Sequence, residues 1–576
     1  MKKISILFFL LVIKISFAQF TTEYWDVAQS KKKSEQQIKG GMQDGKFTAW
    51  FENGDIAREG NFLEGKENGK FTSYYSGKKL KSLETYSLGK KSGLCKYWYI
   101  NGNVAQETFF KEDKPDSVWT GWYESGKQKS IESYVKGKRE GAWIYFYENG
   151  QKENEGIFKN NLAEGDYTAW FSNGLKQKEG KVKNGKEQGL WKEYFRSGKP
   201  KQELLYENDE VLLMNLWLEN GEQIIKNGNG KFIATYDNGA KKSEGKYKEG
   251  RLDGEWLFFL QSGEKDYMVN YTKGKKNGLC INWFKDGKIK SEGPFVNDKK
   301  NGYWKWYNQN GKIEMEGNLV DDLRNEKWVY WLENGTKVSD GYFKNDLENG
   351  LWNYFYKTGA KWKQGTFKDG KKDSIWTIWF ENGKKLQEGA FNAGKEEGLW
   401  ISWFDNGTIK DEGYFKAAKM DGSWKGLFPD NKPNYQGFYK NDLKDGPWKD
   451  YYTNGTIKEE GFYKEGKKQK HWIFWTPFGF KDSEGDYKNE RPDGLWTYYY
   501  ETGVKSMEQN FIEGKQSGEC RSWYENAKLK SETSYVLVKD SKGNRIESKP
   551  NGKWIYYDKN GKIIMESTYK KGVKIK

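Results

Sequence analysis

Gly398-Leu399-Trp400-Ile401-Ser402-Trp403-Phe404-Asp405-Asn406-Gly407-Thr408-Ile409-Lys410-Asp411-Glu412-Gly413-Tyr414-Phe415 is one instance of a motif that returns every 24 residues. With Gly398 as position 0, equivalent starts fall at 45, 69, 93, 117, 141, 165 and 189, then from 230 in steps of 24 to 518, and once more at 552. A shortened repeat begins near Leu212 and ends before Gly230, which makes 22 repeats over 45–576. A fixed period of this length marks a repeat architecture. Asn-Gly at +8 and +9, as at Asn406-Gly407, is the strongest short hairpin signal and predicts a two-residue type I′ turn. Offsets that sum to 17 then face each other across the hairpin.

Strand alternation assigns the faces on that basis. A core face takes the aromatics at +2, +6 and +17 and the aliphatic at +11, with the +15 glycine opposite the +2 indole that lies across it. The other face takes the +5 aromatic, the +12 lysine and the +14 glutamate. The expected fold is all-β, an elongated antiparallel single-layer meander or solenoid of β-hairpin repeats, roughly 40 strands coiled by sheet twist.

Composition agrees with many short strands and tight turns. Aromatics make up 17% of 576 residues, yet mean hydropathy is −1.03, with 67 Gly and only 9 Pro. Disordered chains lack such aromatic content. One His and three Cys leave little for nucleophilic, acid–base or metal chemistry. Residues 1–18 read as a secretory signal peptide, with Lys2 and Lys3 before the apolar Ile4–Ile13 and small Ser16 and Ala18 before a cut at Gln19. That run is half the length of a membrane span, and no later segment is long enough to be one. The reading is therefore an exported chain, periplasmic or outside the cell of a bacterium. Removal of three lysines lowers the net charge from +16 to +13, but only eight of 98 basic residues are Arg and acids interleave throughout. Nucleic acid is not an expected partner.

The remaining divisions are an N-terminal cap at 19–44, a first repeat block at 45–211, a bend at 212–229 and a second block at 230–576. A loop insertion occupies 535–551, including Lys539-Asp540-Ser541-Lys542-Gly543-Asn544. The repeat at 422 is degenerate, with Leu427 at +5 and Pro429 and Pro433 flanking a missing turn glycine.

The pattern G-x-W-x-x-Y/W-F/Y-x-N-G followed by E-G-x-Y/F, as in Gly398-Leu399-Trp400 through Gly413-Tyr414-Phe415, resembles the MORN-variant (type 2 MORN) repeat. That resemblance implies repeated β-hairpins and interaction rather than catalysis. Its bacterial members include the YwqK-type antitoxin family, which implies inhibition of a toxin. The histidine of founder MORN repeats is missing, so their membrane contact does not transfer.

Candidate chemistry is sparse. Cys95, Cys280 and Cys520 all stand at +2, where the core aromatic belongs, and read as buried hydrophobes out of disulfide reach. His471 is alone at +1 and reads as a surface residue. The +14 glutamates form a ladder of equivalent environments suited to pairing with lysine, whereas glycoside hydrolysis needs two acids in different ones. No catalytic residue, metal site or cofactor is expected. The binding candidates are the +5 aromatics Trp50, Trp98, Trp122, Trp170, Trp283, Trp331, Trp379, Trp403, Trp475 and Trp523, bordered by Lys and Glu. Either they form an exposed stripe, or lysine stems and the rolled sheet cover them. The leading function is a non-enzymatic scaffold binding protein partners at the cell envelope. The alternatives are a polysaccharide-binding module and antitoxin-like inhibition of an exported toxin.

Overall fold

The computed structural model describes residues 19–539 and 546–576. The signal-peptide segment and residues 540–545 of the insertion lie outside them. All regular elements among the described residues are β-strands, 54 segments in two antiparallel sheets. One sheet runs from Gln19–Tyr24 to Gln223–Ile225 and the other from Gly230–Thr235 to Val573–Lys574. The chain forms two compact bodies: residues up to Gly263 with Asn270–Lys275, and Glu264–Val269 with Lys276–Lys576.

Within a repeat the predicted register holds along most of the hairpin. Strands Lys395–Trp403 and Ile409–Lys416 pair Gly398 with Phe415, Trp400 with Gly413 and Ser402 with Asp411. It then slips by one residue, and Trp403 faces Ile409. The cause is the turn. Phe404 carbonyl accepts from Gly407 N–H at 2.9 Å, Phe404 N–H donates to Thr408 carbonyl at 2.9 Å, and only Gly407 has positive φ (92°). This is a three-residue loop with a glycine bulge, not the expected two-residue type I′ turn. Asparagine is needed there for its side chain: Asn406 Oδ1 accepts from Thr408 N–H at 2.9 Å, and its Nδ2 donates to the next repeat's Pro429 carbonyl at 2.9 Å. Asn382 and Asn454 reach Asp405 and Pro477 in the same way, so the hairpin tips are tied one to the next.

The type I′ turn is in the link. Lys416 pairs with Lys419 across Ala417 (φ 51°) and Ala418 (φ 70°), both left-handed. Beyond it a second irregularity falls at position 0, where Gly398 (φ 71°) bulges between the pairs Gly389–Trp400 and Ala390–Glu397. Glycine suits this site because left-handed φ costs an L-residue energy.

These slips correct the predicted faces. Position +11 shares a side with +5, and +12 lies over +6: Lys385 Nζ is 5.4 Å from the Trp403 ring centre of the next repeat, and Lys458 Nζ is 6.0 Å from that of Tyr452. The +6 tyrosine is a connector, its hydroxyl donating to the carbonyl of the next +5 residue, as Tyr452 does to Trp475 at 2.9 Å.

The core face carries +2, +15 and +17. Here the structure reassigns the glycine as well. The indole of Trp400 lies over Gly389 of the preceding repeat rather than over Gly413 of its own, with Cδ2 2.0 Å from where a Cβ on Gly389 would sit. Trp400 Nε1 donates to Ala390 carbonyl at 3.1 Å. Trp424 repeats the arrangement on Gly413 and Tyr414. An indole seated in this way is a latch between consecutive hairpins, and Trp472 is fully buried.

At the C-terminal insertion the strand continues to Lys539 and pairs with Ile546–Pro550, from Tyr535–Pro550 to Lys539–Ile546. The insertion is therefore a lengthened hairpin end and not a loop in its described part.

Candidate functional site

The face away from the tryptophan latches is built by four rows. The +5 aromatics form the first. All ten tryptophans named above lie in it, each half-buried. Where +11 of the preceding repeat is lysine it can sit over the ring, with Lys361 Nζ 5.1 Å from the Trp379 ring centre and Lys152 Nζ 5.4 Å from that of Trp170, whereas Trp98, Trp122, Trp331 and Trp475 follow Leu80, Val104, Ile313 and Ile457. The same lysines pair with the +14 acids three residues on, as in Lys385–Glu388 at 2.7 Å and Lys152–Glu155 at 2.6 Å.

Where +5 is tyrosine, its hydroxyl donates to the preceding +14 glutamate. Tyr194 does so to Glu179 and Tyr307 to Glu292, both at 2.6 Å. These bonds leave an electrostatic signature. Hydrogen bonds from Lys176 and then Tyr194 hold the Glu179 carboxyl below the usual range. Tyr74 is pushed up to about 12, first by its hydrogen bond to Glu59. A cross-strand set completes the +14 ladder, with Lys425–Glu412 at 2.5 Å and Lys449–Glu460 at 2.7 Å. This row is therefore saturated with internal partners.

A second apolar row, at +1 and +16, is more open, and sequence reasoning missed it. The two positions are register partners, as Leu399–Tyr414 and Ser423–Phe438 show. Tyr303, Tyr342, Leu351, Ile375, Leu399, Tyr414, Phe438 and Leu495 are all exposed, Ile375 at 63%. The signal lay in the alternation itself, since +1 and +16 stand on the same face as +3 and +14. Ser423 interrupts the row with a small side chain. It opens a groove of about 420 Å³ between Leu399, Tyr414, Phe438 and Pro447, with Glu412 and Lys425 at its side.

His471 occupies the same row in place of an apolar residue. Its Nδ1 is 3.0 Å from Asp486 and its Nε2 3.4 Å from Glu484, so it is surface-exposed and held between two carboxylates. The three cysteines are buried and free, as their position predicts. Among the described residues no cluster of three His, Cys, Asp or Glu side chains is placed to hold a metal ion. None of their helices is long and apolar enough to cross a membrane.

One polar pair departs from the repeat on the core face. Asp450 and Glu459 are register partners at +4 and +13. Lys468 pairs with Glu459 at 2.8 Å, while burial pushes the Asp450 carboxyl up against the pull of Lys444, and Glu459 pushes it further. Burial likewise lowers Lys444. Like charges directly opposite each other destabilise a sheet.

Comparison with known proteins reaches the repeat and little beyond it. No curated protein matches the chain. Matches among solved structures include a TcdB2–TccC3 crystal structure (10% identity, 96% of this chain on 36% of that one, TM-score 0.11). Another is the Photorhabdus luminescens Tc holotoxin pore (8% identity, 97% on 35%, TM-score 0.12). The chain spans about a third of those chains, and such TM-scores relate nothing beyond local strand arrangement. The family model described as MORN repeat variant matches residues 43–64, 139–160, 187–208, 276–297, 300–321, 396–417, 444–465, 492–513 and 550–571. The chain thus carries MORN-variant repeats, nine of them matched directly and the intervening ones built on the same 24-residue hairpin.

Proposed function

We propose that this chain is an exported, non-enzymatic scaffold that binds other proteins along the face carrying the +1/+16 row, at the cell envelope. The observation that carries the reading is that row, whose exposed apolar members from Tyr342 to Phe438 lie within one compact body and are bordered by paired charges. Contiguous apolar surface rimmed by polar groups is what protein interfaces use. Over Trp170, Trp283, Trp379 and Trp403 a lysine ammonium already lies on the ring face a sugar would need. This favours protein over polysaccharide as the ligand. Inhibition of an exported toxin, implied by the resemblance to YwqK-type antitoxins, is a special case of the same scaffold.

The test is capture from native envelope extract on immobilised 19–576 and on the triple variant Leu399→Ser, Tyr414→Ser, Phe438→Ser. A discrete, protease-sensitive prey that the wild type holds and the variant loses, with thermal unfolding unchanged, is the expected result. Carbohydrate retained after proteolysis by the wild type and lost by the variant would replace this reading with the glycan one.

A further inference from the structure

Charge on this protein is segregated by edge. On the open face the lysines are neutralised: Lys337 pairs with Asp340 at 2.9 Å, Lys385 with Glu388 at 2.7 Å and Lys481 with Glu484 at 3.0 Å. The links between hairpins behave otherwise. Hairpin tips and links lie at opposite strand ends, so the links stack along one edge of the sheet. The seven links between 344 and 491, four residues each at +18 to +21, carry eleven Lys or Arg against five Asp or Glu. All eleven cations are exposed. Lys464 reaches Asp445 at 3.1 Å, and the other ten approach no carboxylate within 4.0 Å among the described residues. Several of the acids are occupied with backbone: Asp346 Oδ1 accepts from Arg324 N–H at 2.9 Å, Asp442 Oδ1 from Met420 N–H at 2.8 Å and Glu490 Oε1 from Lys468 N–H at 2.6 Å. They fix the turns and leave the flanking ammonium groups unpaired.

We propose that this link edge binds a linear acidic polysaccharide, a polymer of uronic acids laid along the stack of links. Successive links are two strands apart, about 10 Å, so the free lysines form a single file of regularly spaced positive charge. A uronate polymer presents one carboxylate on each sugar ring, which matches a file of point charges. All but one of the cations is lysine, a compact ammonium without the planar fork that arginine brings to phosphate. No aromatic side chain stands among the link positions 344–347 to 488–491, so the stacking platforms of single-stranded nucleic-acid binders are missing there. This edge is distinct from the open face, and the proposal does not depend on the scaffold reading.

The experiment measures binding of 19–576 to polygalacturonate, with duplex DNA and anionic phospholipid vesicles as comparators. Two variants carry the same change in net charge. The edge variant replaces Lys416, Lys419, Lys440, Lys464 and Lys467 with Gln, and the face variant replaces Lys337, Lys385, Lys425, Lys449 and Lys481 with Gln. Expected are tightest binding to polygalacturonate, weakening as salt is raised through about 0.3 M, at least a tenfold loss in the edge variant and less than twofold in the face variant. A third variant with Arg at the five edge positions retains binding and excludes misfolding as the cause of the loss. Equal loss in edge and face variants, no measurable binding, or tighter binding to DNA or vesicles than to polygalacturonate would each overturn the proposal.

Discussion

The two bodies share one repeat but differ in how continuously its aromatic core runs. In the second body, rings at +2 and +17 touch without interruption from Trp328 through Trp352, Trp400 and Trp448 to Phe511, most of them edge to face. In the first body the series is broken. Phe71–Tyr86 ends before Cys95, and Tyr134 makes no ring contact with Trp143 among the described pairs. The breaks have two sources: an aliphatic at +17, as at Val182 and Leu319, or a +15 residue of the preceding repeat that is not glycine. Glu84 precedes Cys95, Glu132 precedes Trp143 and Val269 precedes Cys280; at the end of the continuous series Gln509 precedes Cys520. Trp143 keeps its indole by turning onto Gly156 of its own repeat, and its Nε1 loses a partner. Glycine at +15 is thus half of a latch whose other half lies in the next hairpin.

The largest effect should come from obstructing a latch. In Gly389→Val the new Cβ falls 2.0 Å from Trp400 Cδ2, so the indole must leave its slot. Overpacking of this kind costs about 3 kcal/mol. Hydrogen exchange across 385–403 reads the loss locally, which suits a repeat chain that need not unfold in one step. Gly156→Val, where the nearest indole atom is at 3.1 Å, should lose about 1 kcal/mol. Equal losses would show that the inter-repeat latch is not special.

Next in size is restoring a latch. Cys520→Trp alone places an indole against the buried Gln509 and should destabilise by about 2 kcal/mol. Gln509→Gly with Cys520→Trp should recover that loss, a coupling of about 2 kcal/mol in a double-mutant cycle. Additive single effects would refute the pairing rule.

How much of this was legible follows from the same residues. The period, the hairpin and the +2/+15 register all follow from Gly398–Phe415, and the strand pairing agrees with them through Ser402–Asp411. Two features were not legible. A +2 residue has a +15 neighbour on each side, in its own hairpin and in the preceding one, so sequence alone does not say which glycine the indole covers. Asn-Gly also fits both a two-residue type I′ loop and a three-residue loop closing on a glycine bulge. The choice moves +11 and +12 across the sheet, and with them the lysine that lies over Trp403. On the open face, the +5 row was legible as a stripe and lysine cover as one of its two readings, but which lysine supplies the cover was not. The +1/+16 row went unread because single exposed aliphatics carry no signal until pairing aligns them.

A smaller effect tests the backbone at position 0, where the two bodies differ again. In the second body Glu326, Ser374 and Lys470 replace the glycine and take φ near 60°. Lys470→Gly should stabilise its hairpin by about 1 kcal/mol, as should Ala418→Gly in the link. Hydrogen exchange across 467–475 and 419–427 would register the gains. No change in protection would mean that these residues relax out of the left-handed region.

The smallest effect separates the two faces by pH. On the open face, Glu179 is held low by Lys176 and Tyr194, so its contribution is present above the unfolded value of 4.5 and is lost as pH falls through its lower folded value. Glu179→Gln should therefore destabilise 176–194 at pH 7, with the loss vanishing once pH has fallen below its folded value. Asp450 on the core face has the opposite sign. Burial raises its pKa, so ionisation is a penalty, fully present above the folded value and gone below the unfolded 3.8. Asp450→Asn should stabilise strands 443–464 at pH 7, with the gain shrinking as pH is lowered towards 3.8. Asp411 stays out of this balance as the acceptor of the Tyr435 hydroxyl at 2.9 Å, whereas Glu459 and Lys444 remain to couple with the substituted site. If Asp450→Asn instead destabilised at pH 7, the attraction of Lys444 would outweigh burial, and the core face would hold an ion pair where we read a strained acid.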